Sequence, residues 1–428
     1  MKSPATPGFL SGHATHPDWR TALALAAAQI DAQRSEPGAA ASPTLGWVYF
    51  TDHYSASAGA LLADLHQRWP GVQWVGASGV GIAASGVEYF DEPALALMLA
   101  DIPRERFRVF SGARPLGAFA AHTANVHADP AGNDPDELVR DMSARTSAGY
   151  LFGGLASARG TAVHIAEDVL RGGLSGVAFD TRVALVSRVT QGCQPIGPTR
   201  TVTAADRNVV TQLDGEGALD CLLRDLNLEG SDPRAALHTL RQTLVGVSDA
   251  APAAAEDHAA PIDNPALRGR FDSVARRGAF GPDTRVRHLV GLDPGRRGIA
   301  IGDIAEPGSR IAFCTRNTEA ARRDLMRICA EVREEVEPET LPLEAALARK
   351  GAPAGQAALP ASHGIAGAIY VSCAGRGGAH FGAPSAELAI VKHALGDVPL
   401  VGFFASGEIA RADLYGYTGV LTVFRTAP

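Results

Sequence analysis

Two charged side chains set among glycines near the C-terminus offer the clearest chemistry in this chain. Ser372-Cys373-Ala374-Gly375-Arg376-Gly377-Gly378 follows the apolar run 365–371, and Ser406-Gly407-Glu408 follows the run 398–404. Short apolar runs bounded by turn residues predict buried strands. Each strand would deliver one charge to a sheet end. Arg376 offers a planar fork suited to a carboxylate, and Glu408 offers an acceptor suited to an ammonium. Together they predict a site for an amino acid or similar zwitterion, lined also by Gly377, Ser406 and Gly407. The alternative is that the two charges neutralise one another.

Cys373 heads the same loop. A thiol at a strand end, beside an arginine and loop N–H groups, is expected to have a lowered pKa, which makes it a reactive or ligand-adjacent group. Acyl or amine chemistry, the enzymatic alternative, would also need a base. His380 and His363 flank the loop and the strand, but neither spacing is diagnostic, so no catalytic residue is assigned. Ser78 is a further ligand candidate. It lies in Val75-Gly76-Ala77-Ser78-Gly79-Val80-Gly81, which looks like a dinucleotide-binding turn. That chemistry requires a helix to follow, and 82–93 contains Gly86 and Pro93 without a helical face. The glycines therefore read as a tight turn or close backbone packing.

The 13 histidines form no HExxH and no paired spacing that would seat zinc, and no metal ligand is assigned. The absence of CxxCH excludes covalent haem attachment. A non-covalent haem would need one proximal histidine in an apolar pocket, with His164, His288 and His380 as candidates. No other cofactor is expected.

The elements that must position these groups alternate between strands and helices. Helices are predicted over 17–34, from Ser55 or Ser57 to Trp69, and over 134–146, 218–226, 233–244 and 318–336. The last carries Ala321, Leu325, Ile328 and Val332 on one face. Strands are predicted at 46–50 and 72–75, as a pair at 94–99 and 107–110, and as a meander at 149–155, 163–170, 176–179 and 183–189. Beyond Leu213 a strand at 286–292 precedes a hairpin of 298–304 with 310–314. Stretches 250–265 and 338–361, rich in Ala and Pro, read as loop insertions. A weak repeat links Val75-Gly76-Ala77-Ser78-Gly79, Phe152-Gly153-Gly154-Leu155-Ala156-Ser157 and Val401-Gly402-Phe403-Phe404-Ala405-Ser406-Gly407. The expected class is α/β (α+β): two related lobes of β-sheet flanked by helices, with a ligand cleft between them or at the sheet ends. The boundaries are 1–44 for an N-terminal helix and linker, with His13 and His16 in a tail, then 45–214 and 215–428.

With 428 residues, 46% hydrophobic, the chain can bury an ample core. A net charge of −7 argues against a general nucleic-acid surface. Five cysteines without a CxxC pair read as a reduced, intracellular protein. The N-terminus lacks a secretory pattern, and the alanine-rich run 22–28 is too short to cross a bilayer. A cytoplasmic location without membrane contact is expected.

The same motifs carry a resemblance. Cys373-Ala374-Gly375-Arg376-Gly377, the run 399–409 (PLVGFFASGEI) and Leu414-Tyr415-Gly416-Tyr417-Thr418 resemble the C-terminal half of the FIST sensory domain. The run 192–198 (GCQPIGP) and the Leu213-Asp214-Gly215 turn are similar to the segment joining that family's halves, and 74–80 and 151–156 to its N-terminal half. The resemblance spans roughly 45–425 and implies small-ligand sensing. The family has been proposed to sense amino acids, and some members bind haem and respond to nitric oxide. Residues 1–44 are too few for a receptor, kinase or cyclic-nucleotide output. A standalone member is therefore expected, one that signals through a separate protein or through self-association.

Overall fold

The computed structural model describes residues 8–34, 40, 42–132, 134–228, 232–249, 284–336 and 364–426. The insertions expected at 250–265 and 338–361 lie outside the described residues. Two compact units are present: a larger one of residues up to Thr190 together with those from Arg322, and a smaller one of Gln191–Ala321.

Among the described residues, the larger unit contains eighteen strands in three consecutive groups of six. The first group is β1 Phe9–Thr15, β2 Leu45–Thr51, β3 Gln73–Gly79, β4 Gly81–Ala84, β5 Val87–Phe90 and β6 Ala94–Ala100. The second is β7 Phe107–Phe110, β8 Thr123–Ala128, β9 Tyr150–Leu155, β10 His164–Ala166, β11 Val169–Leu170 and β12 Leu174–Phe179. The third is β13 Leu185–Gln191, β14 Ile365–Cys373, β15 Leu400–Ala405, β16 Glu408–Arg411, β17 Asp413–Tyr415 and β18 Thr418–Arg425.

These make three sheets of identical plan: β1-β6-β2-β3-β10-β11, β7-β12-β8-β9-β16-β17 and β13-β18-β14-β15-β4-β5. In each group the fourth and fifth strands form a hairpin that leaves its own sheet and joins another. Hairpin β4–β5 pairs with β15, β10–β11 with β3, and β16–β17 with β9. The exchange is cyclic. The related sheet units in this body therefore number three, and the three sequence runs noted above are their equivalent strands.

Each group has one parallel pair joined across a helix: β2 and β3 by α2 (Ala58–Arg68), β8 and β9 by α3 (Pro135–Ala144), β14 and β15 by a helix at Ala386–Leu395. Such crossovers are the normal way to connect parallel strands. Gly76, Gly153 and Gly402 sit at the same place in the second strand of each pair. A Cβ there would stand 1.8, 1.9 and 1.7 Å from the carbonyl oxygens of Val48, Val126 and Tyr370. The repeated glycine thus reflects close backbone approach. Gly402→Ala is expected to lower stability by about 1–3 kcal/mol through overpacking against an immovable backbone, read by thermal unfolding; an unchanged melting temperature would refute the close approach.

Helix α1 (Trp19–Gln33) starts where the Asp18 carboxylate accepts the Thr21 N–H, and it buries Trp19, Ala22, Leu23, Ala26, Ala27 and Ile30. It lies between β1 and β2. Between β13 and β14 the chain instead holds the smaller unit and the helix Thr318–Val336, whose Ala321, Leu325, Ile328 and Val332 are buried as predicted. All three sheets feed one core containing Trp47, Tyr49, Phe152, Phe179, Val371, Phe403 and Phe424. In the smaller unit, Arg200–Asp206, Val209–Leu213, Gly298–Ile301, Arg285–Asp293, Leu244–Ser248 and Arg310–Arg316 pair in a closed ring around Val202, Val210, Ile299 and Phe313.

The class is α+β. Several pairings differ from those expected. The first tail is not a tail, since Phe9–Thr15 is fully paired with β6. The run 94–99 pairs with β1 and β2 rather than with 107–110, which pairs with β12. The supposed meander is divided among three sheets. Likewise Gly298–Ile301 and Arg310–Arg316 have separate neighbours. Alternation marks a strand but does not name its partner. No described helix is long and apolar enough to cross a membrane.

Candidate functional site

Cys373 ends β14 beside Ala405, the last residue of β15. Glu408 opens β16, which pairs with β9 so that Glu408 lies opposite Gly154. The two residues therefore belong to different sheets, and the hairpin exchange brings them to one corner. There the first residue of β18, Thr418, donates its N–H (3.0 Å) and its hydroxyl (2.7 Å) to Glu408 Oε2. Glu408 is fully buried, and its Oε1 has no hydrogen-bond partner. Burial pushes its pKa up to about 8; the Thr418 bonds, Arg376 and the Cys373 thiol offset that only in part.

Arg376 is occupied elsewhere. Its side chain is 1% exposed, and Nε and Nη2 donate to Glu387 Oε1 at 2.9 and 2.5 Å. Glu387 also accepts the hydroxyls of Tyr370 (2.6 Å) and Ser372 (3.0 Å). The Phe381 ring lies 5.1 Å from the guanidinium carbon, within cation–π range. Burial opposes the guanidinium charge, but Glu387 and Tyr370 outweigh it and raise the Arg376 pKa. Only Nη1 is loosely held, 3.5 Å from the Tyr417 carbonyl. Thus Arg376 pairs with Glu387, on the helix Ala386–Leu395, rather than with Glu408. Sequence reading did not select Glu387. Its signal is a lone acidic residue just before the apolar stretch Leu388 to Val391 of its helix.

The glycine loop is packed, not open. A Cβ on Gly377 would meet the Phe90 ring at 2.2 Å, and the Gly378 N–H donates to Glu88 Oε1 at 3.0 Å. The loop is pinned by β5 from the exchanged hairpin. Ser78 is also fully buried. Its hydroxyl donates to the Ser157 carbonyl and accepts the Val163 N–H (3.0 Å), which ties the end of β3 to the second repeat. Ser406 is exposed, and the buried Gly407 gives its carbonyl to the Leu155 N–H.

Cys373 is half-buried, with the N–H groups of Gly375 and Tyr417 directed at its sulfur. Tyr417 adopts a left-handed φ of 61°. Burial first, then Glu408, push the thiol up to about 12, and those N–H groups do not reverse it. The expected lowering is therefore overturned, and the thiol stays protonated at neutral pH. That removes the activation a nucleophile needs.

Comparing the three repeats separates what the fold requires from what it does not. Thr51 and Asp129 occupy the place of Cys373, and each accepts a backbone N–H, from Ala94 (2.9 Å) and Gly172 (2.7 Å). An acceptor there is a feature of all three corners. Glu408 corresponds to Ile82 and His164, each one residue before the position facing the strand glycine. Ile82 is wholly apolar and buried, so the fold does not need a polar group at that place. His164 is satisfied on both nitrogens, by Ser175 Oγ (2.6 Å) and the Gly172 carbonyl (3.1 Å), so as a haem ligand it would have to give one up. His288 is exposed, and His380 stands edge-on to Phe381. His127 Nδ1 also lacks a partner, but that ring is enclosed by Tyr49 and Phe403 in the central core. Glu408 is thus the polar group that a strand-end corner leaves half-satisfied.

Family models match the chain along most of its length: the FIST N domain at residues 44–216 and the FIST C domain at 218–411. An uncharacterized protein of Mycobacterium tuberculosis is 30% identical over 431 residues, covering 96% of this chain and 98% of that protein. An uncharacterized protein of Mycobacterium bovis is 30% identical over 433 residues, covering 96% and 97%.

Proposed function

The chain belongs to the FIST family of small-ligand sensory domains in signal transduction, and from that premise we propose that it senses a primary amine, an amino acid or related zwitterion, at the Glu408 corner. The observation that carries this reading is the unpartnered Glu408 Oε1, fully buried where an equivalent corner has isoleucine. A buried carboxyl that keeps one oxygen free is costly unless something arrives to use it. An ammonium group supplies both donors and charge, and it would draw Glu408 into its ionised form. The ligand carboxylate would lie toward Arg376 Nη1, the least engaged donor, with Cys373 and the exposed Ser406 at the outer side. The bound state would be read in the cytoplasm by a separate signalling protein or through self-association, which size-exclusion chromatography with and without ligand distinguishes.

The test is a thermal-shift panel at neutral pH comparing aliphatic amino acids, their decarboxylated amines and the matching aliphatic acids without the amino group. A ligand at a hundred times its Kd should stabilise by about 2.7 kcal/mol. Amines and amino acids are expected to shift the melting curve, the amine-free acids not, and Glu408→Gln should remove the response. Equal binding of the amine-free acids, or full binding by the variant, would overturn the proposal.

A further inference from the structure

The repeats differ at their opposite ends as well. The first strand of each group opens on a bulky apolar residue: Phe9 in β1, Phe107 in β7 and Leu185 in β13. Phe9 is buried, and its ring covers Gly367 at the start of β14, where an added Cβ would stand 2.5 Å away. It also packs on Phe424, ring centroids 5.0 Å apart. Phe107 is buried in the same core. Leu185 is shorter and partly exposed, and beside it lies a cavity of about 370 Å³. Thr123, which lines this cavity, holds the place that Gly367 holds under Phe9, three residues before the residue facing the strand glycine.

We propose that this third seam is a second small-molecule site, for an aromatic carboxylic acid whose ring takes the place of the missing phenyl group. Phe152, Val183 and Leu185 give the apolar wall. At the polar end the Tyr150 hydroxyl donates to Ser187 Oγ (3.0 Å), which shares a hydrogen bond with Thr422 Oγ1 (2.8 Å). Arg425 is exposed on the lining and supplies the cation for the carboxylate. A cavity of about 150 Å³ suffices for benzene, so a ring with a carboxylate fits here. The site lies at the first residues of β8 and β9, whereas the Glu408 corner lies at the last residue of β14, so the two are separate sites.

Benzoate and phenylacetate, added to the full chain, are expected to raise its melting temperature in a dose-dependent way. Leu185→Phe should abolish that shift while melting at or above the parent protein, because it supplies the ring found in the other seams. Arg425→Ala, an exposed change, should weaken both acids by about tenfold, the loss of one charge-assisted contact. Glu408→Gln should leave them unaffected, which separates this proposal from the amine reading. No shift with either acid up to about 10 mM, a weak-binding limit, would overturn it. So would equal binding by Leu185→Phe or by Arg425→Ala.

Discussion

Arg376→Ala will cost the protein about 3–5 kcal/mol of stability, because it strands a buried carboxylate rather than merely deleting a ligand contact. Glu387 is 1% exposed and receives both Arg376 donors, so removal of the guanidinium leaves it with only the Tyr370 and Ser372 hydroxyls. Replacing both charges, as Arg376→Met with Glu387→Leu, should recover most of the loss, since apolar substitutes of similar volume often match a buried pair. Urea unfolding of the single and double variants reads this directly. If instead Arg376→Ala stays within about 0.5 kcal/mol of the parent, the range of ordinary surface changes, and loses amine binding, the guanidinium is a ligand contact and the structural account fails.

Glu408→Gln is expected to have the opposite sign. The Glu408 pKa, about 8 when folded, lies above its ordinary 4.5. Between those values the unfolded chain has released the proton that the folded protein keeps. Unfolding therefore becomes easier as pH rises from about 4.5 to about 8, by ~1.4 kcal/mol per unit, with no contribution to the slope outside that window. At pH 7 the cost is about 3 kcal/mol, and glutamine, which is never charged, should return that amount. A stabilised protein that no longer answers to amines is the expected signature of a site kept strained for binding. Unfolding curves taken from pH 5 to 8 decide it. Parallel pH dependence of parent and variant would show that Glu408 is ionised in the folded state and that no such cost exists.

Much of the frame was legible. The apolar runs before Cys373 and around Val401 are strands, and the helix at 318–336 falls where its buried face predicts. The glycine-centred runs at 76, 153 and 402 are repeats. These features are local: apolar spacing and the absence of a side chain act within a few residues. The FIST motifs likewise pointed to the strand ends where Cys373 and Glu408 meet.

What the sequence could not assign was partnership. The hairpins β4–β5, β10–β11 and β16–β17 each pair in a sheet other than that of the strand before them, and nothing in their spacing marks this. That choice is made by the fit of three sheets around one core. Arg376 and Glu408 looked like a matched pair of charges, but α-helical Glu387 claims the arginine, and Glu408 meets Thr418 and Cys373 instead. The protonation of Cys373 and Glu408 follows from burial, which no spacing of residues reports. By itself, then, the sequence determined the apolar strands that carry the repeated glycines, those glycines and the family, because these depend on neighbours along the chain. Only the tertiary structure decided which charges meet and which oxygen is left without a partner, because desolvation and ion pairing depend on neighbours in space.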